Sequence, residues 1–272
     1  MTAIFLFKLA VGTYLLSALV YGGALWFKRV LPATVGAWLM FAALAIHTVS
    51  FAASRSGGAG IAPAGLHETL SFFAWVMAAA FLALQLRTKT RVLGAFVAPV
   101  IGLLMVVASV GLGGAVDAGE ALKGTLVAVH ALLAVTGEAL FAVASCAGFM
   151  YLIQDRLLRE KKPTGLSGLF PSLRDLDRIN HLCLFAGFPL LTLGILAGSL
   201  WARIVWGSHW QWDPKQVWTL LAWSFYAFLL HQRLAIGWRG RRAARWSLAG
   251  FVILLFLMIA GRLFFPTLHR FV

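Results

Sequence analysis

From Ile4 to Phe27 the chain runs through apolar residues broken by a single charge, Lys8, and from Leu248 to Ala260 it carries no charge at all. Runs of this kind decide what the chain can fold into. About 20 apolar residues in a helix match the hydrocarbon core of a bilayer. Inside that core only a helix or a closed barrel pairs every backbone N–H and C=O without water. Composition agrees: 61% of the 272 residues are hydrophobic and 12% are charged, against roughly 25% charged in a soluble domain. The sequence therefore predicts an all-α, polytopic integral membrane protein. About eight transmembrane helices are expected, beginning near Ile4, Ala33, Leu66, Val92, Leu122, His181, Lys215 and Ala244. The first run lacks a charged leader and a small-residue cleavage site and reads as a retained span. The long polar interruption, Gln154–Asn180, reads as a loop with at most a short helix. The other connections are short, so residues 1–272 are expected to form a single helical bundle, its motif-bearing half about 122–272.

The net charge of +14 would suit a nucleic-acid binder, but its placement argues against one. Lys and Arg gather in alternate connections: Lys28 and Arg29; Arg87, Lys89 and Arg91; Arg156 to Arg178; Arg233 to Arg245. Short basic loops mark the cytoplasmic side, and no continuous basic face is left for nucleic acid. With an even number of spans both termini lie outside, as does the segment Trp201–Pro214. The expected location is the cytoplasmic membrane, crossed several times. Cys146 and Cys183 stand in separate apolar runs with no CxxC and no CxxCH, so neither a thiol relay nor covalent haem attachment is expected.

Five of the 11 Trp residues, Trp201, Trp206, Trp210, Trp212 and Trp218, fall in one short stretch between two predicted spans. An interfacial belt accounts for any one of them. So many indoles in one outer loop also make a shelf for a large, flat, apolar ligand with polar edges. Asp213-Pro214-Lys215-Gln216 reads as a helix start, with Asp213 as N-cap, Pro214 at the first position and Gln216 reaching back. Asp213 is thus expected to set the angle between shelf and helix rather than to react.

Histidine depth narrows the search. For a lone His a boundary or hydrogen-bonded structural role is the ordinary reading. His130 differs, since it sits in an apolar helix about two turns below its outer end, where an ionisable group marks function. His269 follows the last span and returns to the same face. Two neutral imidazoles converging above an indole shelf are the axial ligands of a haem iron, and both are expected to bind the metal. Arg203 and Arg262, at outer span ends, fit the haem propionates as bidentate partners; singly, each equally suits the lipid headgroups. Glu138 shares a helix face with His130, about 12 Å away, and is open to a proton relay or an interhelical pair. His231 closes the seventh span, where a cation favours a helix C-terminus. Were it to meet His181, an inner ligand site would exist.

The run Trp206-Gly-Ser-His-Trp210-Gln-Trp212-Asp213-Pro214-Lys215-Gln216-Val-Trp218 resembles the tryptophan-rich WWD motif of the cytochrome c assembly family, the haem-handling membrane proteins of CcsA and HemX type with more distant CcmC- and CcmF-like relatives. Leu126–Leu133 around His130, Leu176–Ile179, Gly187–Gly194, Leu230–Arg233, Gly237–Gly240 and Leu268-His269 resemble that family too. The resemblance implies that His130 and His269 bind haem iron and that Trp206, Trp210, Trp212 and Asp213, within a motif closed by Trp218, hold the porphyrin. It also implies that His231 matches a histidine tied to haem intake. The chain departs from the pattern at Gln216, where Glu is usual. The leading expectation is a carrier that binds non-covalent haem b and presents it at the outer face for cytochrome c maturation or haem export. Its partners would be apocytochrome c or a separate assembly subunit. No covalent chemistry is assigned to it, so it is expected to act less as an enzyme than as a haem chaperone. A membrane regulator docking a cytosolic haem-synthesis enzyme on its basic loops, and a proton-coupled transporter using His130 and Glu138, are the alternatives.

Overall fold

The computed structural model describes residues 2–56, 66–88, 90–110, 124–160 and 165–263, with side chains throughout except at 55, 56, 66 and 258–263. Among these residues there are eight α-helices and no strand. They are α1 (Thr2–Phe27), α2 (Val30–Ser56), α3 (Leu66–Arg87), α4 (Gly94–Val110, entered through a 3-10 turn at Arg91–Leu93), α5 (Thr125–Arg159), α6 (Leu173–Trp206), α7 (Pro214–Leu234) and α8 (Arg241–Leu263). Among the described residues six helices, α1 to α6, are long and apolar enough to cross a membrane, and the chain is a multi-span membrane protein. The α7 run is diluted by Lys215 and Gln216 in its first turn and by His231, Gln232 and Arg233 in its last. The side chains of the last turns of α8 lie outside the described residues.

The chain divides into two compact units. The first holds α1 to α4 and the stretch Phe149–Leu176. Its burial pattern is that of a protein solvated by lipid. On α1, Leu19 is 74% exposed while Tyr21 and Ser17 are fully buried. Apolar side chains gain nothing by leaving lipid, whereas polar ones find partners only in the interior. The Ser17 hydroxyl accordingly donates to the Gly36 carbonyl at 2.8 Å, Gln85 donates to the Tyr21 hydroxyl at 3.1 Å, and His47 meets the Ser71 hydroxyl at 2.8 Å.

Both ends of the expected loop Gln154–Asn180 are helical. α5 continues to Arg159, helped by i,i+4 pairs of Arg156 with Glu160 (2.7 Å) and Arg159 with Asp155 (3.5 Å). α6 opens at Leu173 because Ser172 caps it: its hydroxyl accepts from the Asp175 N–H at 3.1 Å and donates to the Asp175 carboxylate at 2.6 Å. This Ser172 cap after Pro171 satisfies one free backbone donor of the first turn, and it outweighs the polarity of the segment.

The second unit holds α5 up to Gly148, α6 from Asp177, α7 and α8. Gly187, Gly194 and Gly198 line one face of α6 and admit α5 at backbone distance. A Cβ on Gly194 would lie 2.7 Å from the Ala134 nitrogen, and one on Gly187 would lie 2.9 Å from the Gly137 carbonyl. Such small-residue faces are how helices approach closely where lipid removes any hydrophobic drive. α7 joins through Tyr226 stacked on Phe141, centroids 3.6 Å apart. Near the start of α6 the buried Arg233 guanidinium pairs with Asp177 at 3.1 Å and donates to the Asn180 side-chain oxygen at 2.6 Å. Asn180 donates to the Ala144 carbonyl and to Ser247, and Asp177 accepts the Gly240 N–H at 3.0 Å. One polar knot thus ties α5, α6, α7 and α8, with partners for most of its groups.

Candidate functional site

The Trp-rich segment is a tightly turned connection between α6 and α7. α6 stops as Gly207 takes a left-handed conformation (φ 75°), which glycine adopts without steric cost. Ser208 folds the next residues back, donating to the Trp210 carbonyl at 2.8 Å. Trp212 also has positive φ, 54°, a costly backbone for a bulky residue and one that clusters at functional sites. It throws the indole outward, 77% exposed. Asp213 then caps α7: 3% exposed, it accepts from the Lys215 N–H at 2.9 Å, with Pro214 at the first helical turn. Gln216 does reach back, but to the Gln211 N–H at 2.9 Å rather than to the cap residue. The side chain therefore braces the loop ahead of the helix.

The loop roofs a cleft lined by His130 from α5, Gly198, Ser199 and Trp201 from α6, His209 and Trp210 from the loop, and Lys215 from α7. The His130 Nδ1 lies 2.7 Å from the Gly194 carbonyl. A carbonyl can only accept, so Nδ1 carries the proton and Nε2 of the neutral ring keeps its lone pair, as in an imidazole prepared to bind a metal. The ring fits because Gly198 has no side chain; a Cβ there would fall 2.6 Å from Nδ1 and Cε1. Lys215 lines the same cleft, so a cation stands in the wall that His130 shares. Trp206 packs edge-on against the buried Trp201 (5.2 Å), and Trp210 edge-on against Trp212 (5.5 Å). The indoles form an angled wall, not a flat stack.

The other expected site residues fall in several places. Arg203 is exposed in the last turn of α6, and its guanidinium lies 3.2 Å from His209 Nε2. Trp218 is half-buried on α7 and is not among the residues that line the cleft. His231 is exposed in the last turn of α7, with its carbonyl taking the Ala235 N–H at 2.8 Å; His181 faces Phe185, centroids 6.1 Å apart. His269 lies outside the described residues, as does the side chain of Arg262 on α8. Sequence reasoning missed two parts of the site. The backbone carbonyl that orients His130 is invisible in a sequence; the one signal available was the spacing of Gly187, Gly194 and Gly198, a small-residue face of the kind that admits a neighbouring helix closely. His209 is placed by the sequence on the outer side, where a lone His reads as an ordinary boundary or hydrogen-bonded residue.

The family described as Cytochrome C assembly protein matches residues 64–269 of this chain. A cytochrome c biogenesis protein CcsA from Microcystis aeruginosa is 29% identical over 76% of this chain and 77% of its own length. That from Porphyra purpurea is 28% identical over 90% and 89%, and that from Chlamydomonas reinhardtii 32% over 76% and 59%. Among solved structures, the cytochrome c haem lyase CcmF matches with a TM-score of 0.65 at 16% identity. It covers 96% of this chain, which spans 50% of that structure; the likeness is one of fold.

Proposed function

From a chain that belongs to the Cytochrome C assembly protein family, we propose a haem carrier that presents haem at the outer face of the cytoplasmic membrane for cytochrome c maturation. The observation that carries this reading is His130. Its Nδ1–H is spent on the Gly194 carbonyl and its ring lines an indole-walled cleft, so Nε2 is the atom offered to whatever the cleft accepts. Haem suits that donor set: a neutral imidazole for iron, Trp201 and Trp210 for the apolar ring, and Arg203 and Lys215 as cations for its carboxylates. His269 supplies the second axial ligand, and Arg262 a further cation.

In this proposal the protein performs no bond-making of its own. His130 holds the cargo by its iron, the indoles exclude water from its faces, and Asp213 keeps the loop at a set angle to α7. Haem is held non-covalently, so it can pass to an apocytochrome or to a second assembly subunit. His231, exposed at the far end of α7, belongs to the intake side. All eight helices span the bilayer in this proposal, with α7 and α8 completing the six, both termini outside, and the Trp-rich connection outside with them.

The test is the visible spectrum of the purified chain, oxidised and reduced, for wild type, His130→Ala and His269→Ala. A low-spin, two-histidine spectrum in the wild type that is lost in His130→Ala supports the reading. Haem retained unchanged in both variants would move the site away from this cleft.

A further inference from the structure

His209 is bonded in the same way as His130. Its Nδ1 lies 3.2 Å from the Ser199 carbonyl, and its Nε2 lies 3.2 Å from Arg203 Nη1. A carbonyl only accepts and a guanidinium only donates, so both contacts require the same tautomer, with the proton on Nδ1 and the lone pair on Nε2. Both imidazoles are therefore clamped through Nδ1 to carbonyls of α6, at Gly194 and Ser199, and both line one cleft. They differ in what meets Nε2: that of His209 is covered by Arg203, and the residue is exposed.

We infer that His209 is an exchange ligand for haem iron in this cleft, able to take the position of His269 opposite His130, and capped by Arg203 until the carboxylates of the porphyrin draw the guanidinium away. The inference rests on the reading of the cleft as a haem site. A guanidinium binds a carboxylate through two charge-assisted hydrogen bonds, and an imidazole nitrogen only through one to a neutral acceptor. Arrival of a carboxylate therefore favours release of Nε2, whose lone pair becomes available to iron with no proton to lose. His209 lies in the Trp-rich connection and His130 on a packed helix, so the two ligands differ in how readily they let go. An iron bound between them can be surrendered at the loop side first, as a carrier that hands on its cargo requires.

Full-length protein in detergent, loaded with ferric haem, is compared as wild type, His269→Ala, His209→Gln and the double variant, by visible and electron paramagnetic resonance spectra. Gln at 209 preserves a hydrogen-bonding side chain, and the thermal midpoint of each variant reports whether it is folded. The expected result is that His269→Ala stays low-spin and six-coordinate. The double variant becomes high-spin, and free imidazole returns it to low-spin. High-spin haem in His269→Ala alone overturns the inference and leaves the cleft reading standing, as does low-spin haem in the double variant. A wild-type chain that takes up no haem, or whose spectrum survives His130→Ala, overturns both.

Discussion

At the level of single residues, the placement of His130 depends on an atom that is absent. Gly198 leaves room for the imidazole, and a methyl group there would meet the ring at 2.6 Å. Gly198→Ala is therefore expected to push the ring off the Gly194 carbonyl and lower haem affinity at least tenfold, while the helix gains slightly, Ala being favoured over Gly by about 1 kcal/mol. Haem titration alongside a melting curve separates the two effects; equal affinity in the variant would show that the ring position is unimportant. Trp212 gives a second test. Its positive φ carries a cost of roughly 1–2 kcal/mol for a non-glycine residue, so Trp212→Gly should raise the thermal midpoint by a few degrees yet weaken haem binding. A drop in both would mean that the indole serves packing rather than the cleft.

Among the elements, the ends of α6 carry the testable energetics. Removing the side-chain cap with Ser172→Ala should cost about 1 kcal/mol. Arg233→Leu strands Asp177 and Asn180 and should cost about 3 kcal/mol, the lower end because Asp177 is partly exposed. Joint replacement, Asp177→Leu with Arg233→Leu, should be milder than the single Arg233 change. Denaturation midpoints in detergent rank the three, and a double variant worse than Arg233→Leu alone would show that the pair itself carries the stability. The same region shows what a sequence reveals. Ser172-x-x-Asp175 was readable as a cap, but the polarity of the segment Gln154–Asn180 hid it. The knot was not readable, because Asp177 and Asn180 are far along the chain from Arg233 and Ser247 and only packing unites them. His130 was readable for the opposite reason, an ionisable group standing deep in a mostly apolar run.

For the whole molecule, the long apolar runs announced the helical membrane fold, and the Trp-rich motif announced the cleft. The Gly194 carbonyl that aims His130 could come only from the structure, since every residue has a carbonyl. Whether α7 crosses the bilayer decides whether the Trp-rich connection and the basic segment after α7 lie on opposite sides. Cys146 and Cys183 are buried, so single cysteines placed at Ser208 and Ile236, before and after α7, can be labelled over a low background. A membrane-impermeant thiol reagent applied from outside should modify the first and spare the second; equal labelling would mean that α7 does not span. The central claim, that His130 holds haem through Nε2, is tested most directly by His130→Gly in lipid nanodiscs, titrated with haem with and without free imidazole. The account predicts weak, high-spin binding in the variant and a return to the wild-type low-spin spectrum when imidazole is added. A low-spin spectrum in the variant without imidazole, or a wild type that binds no haem, would contradict it.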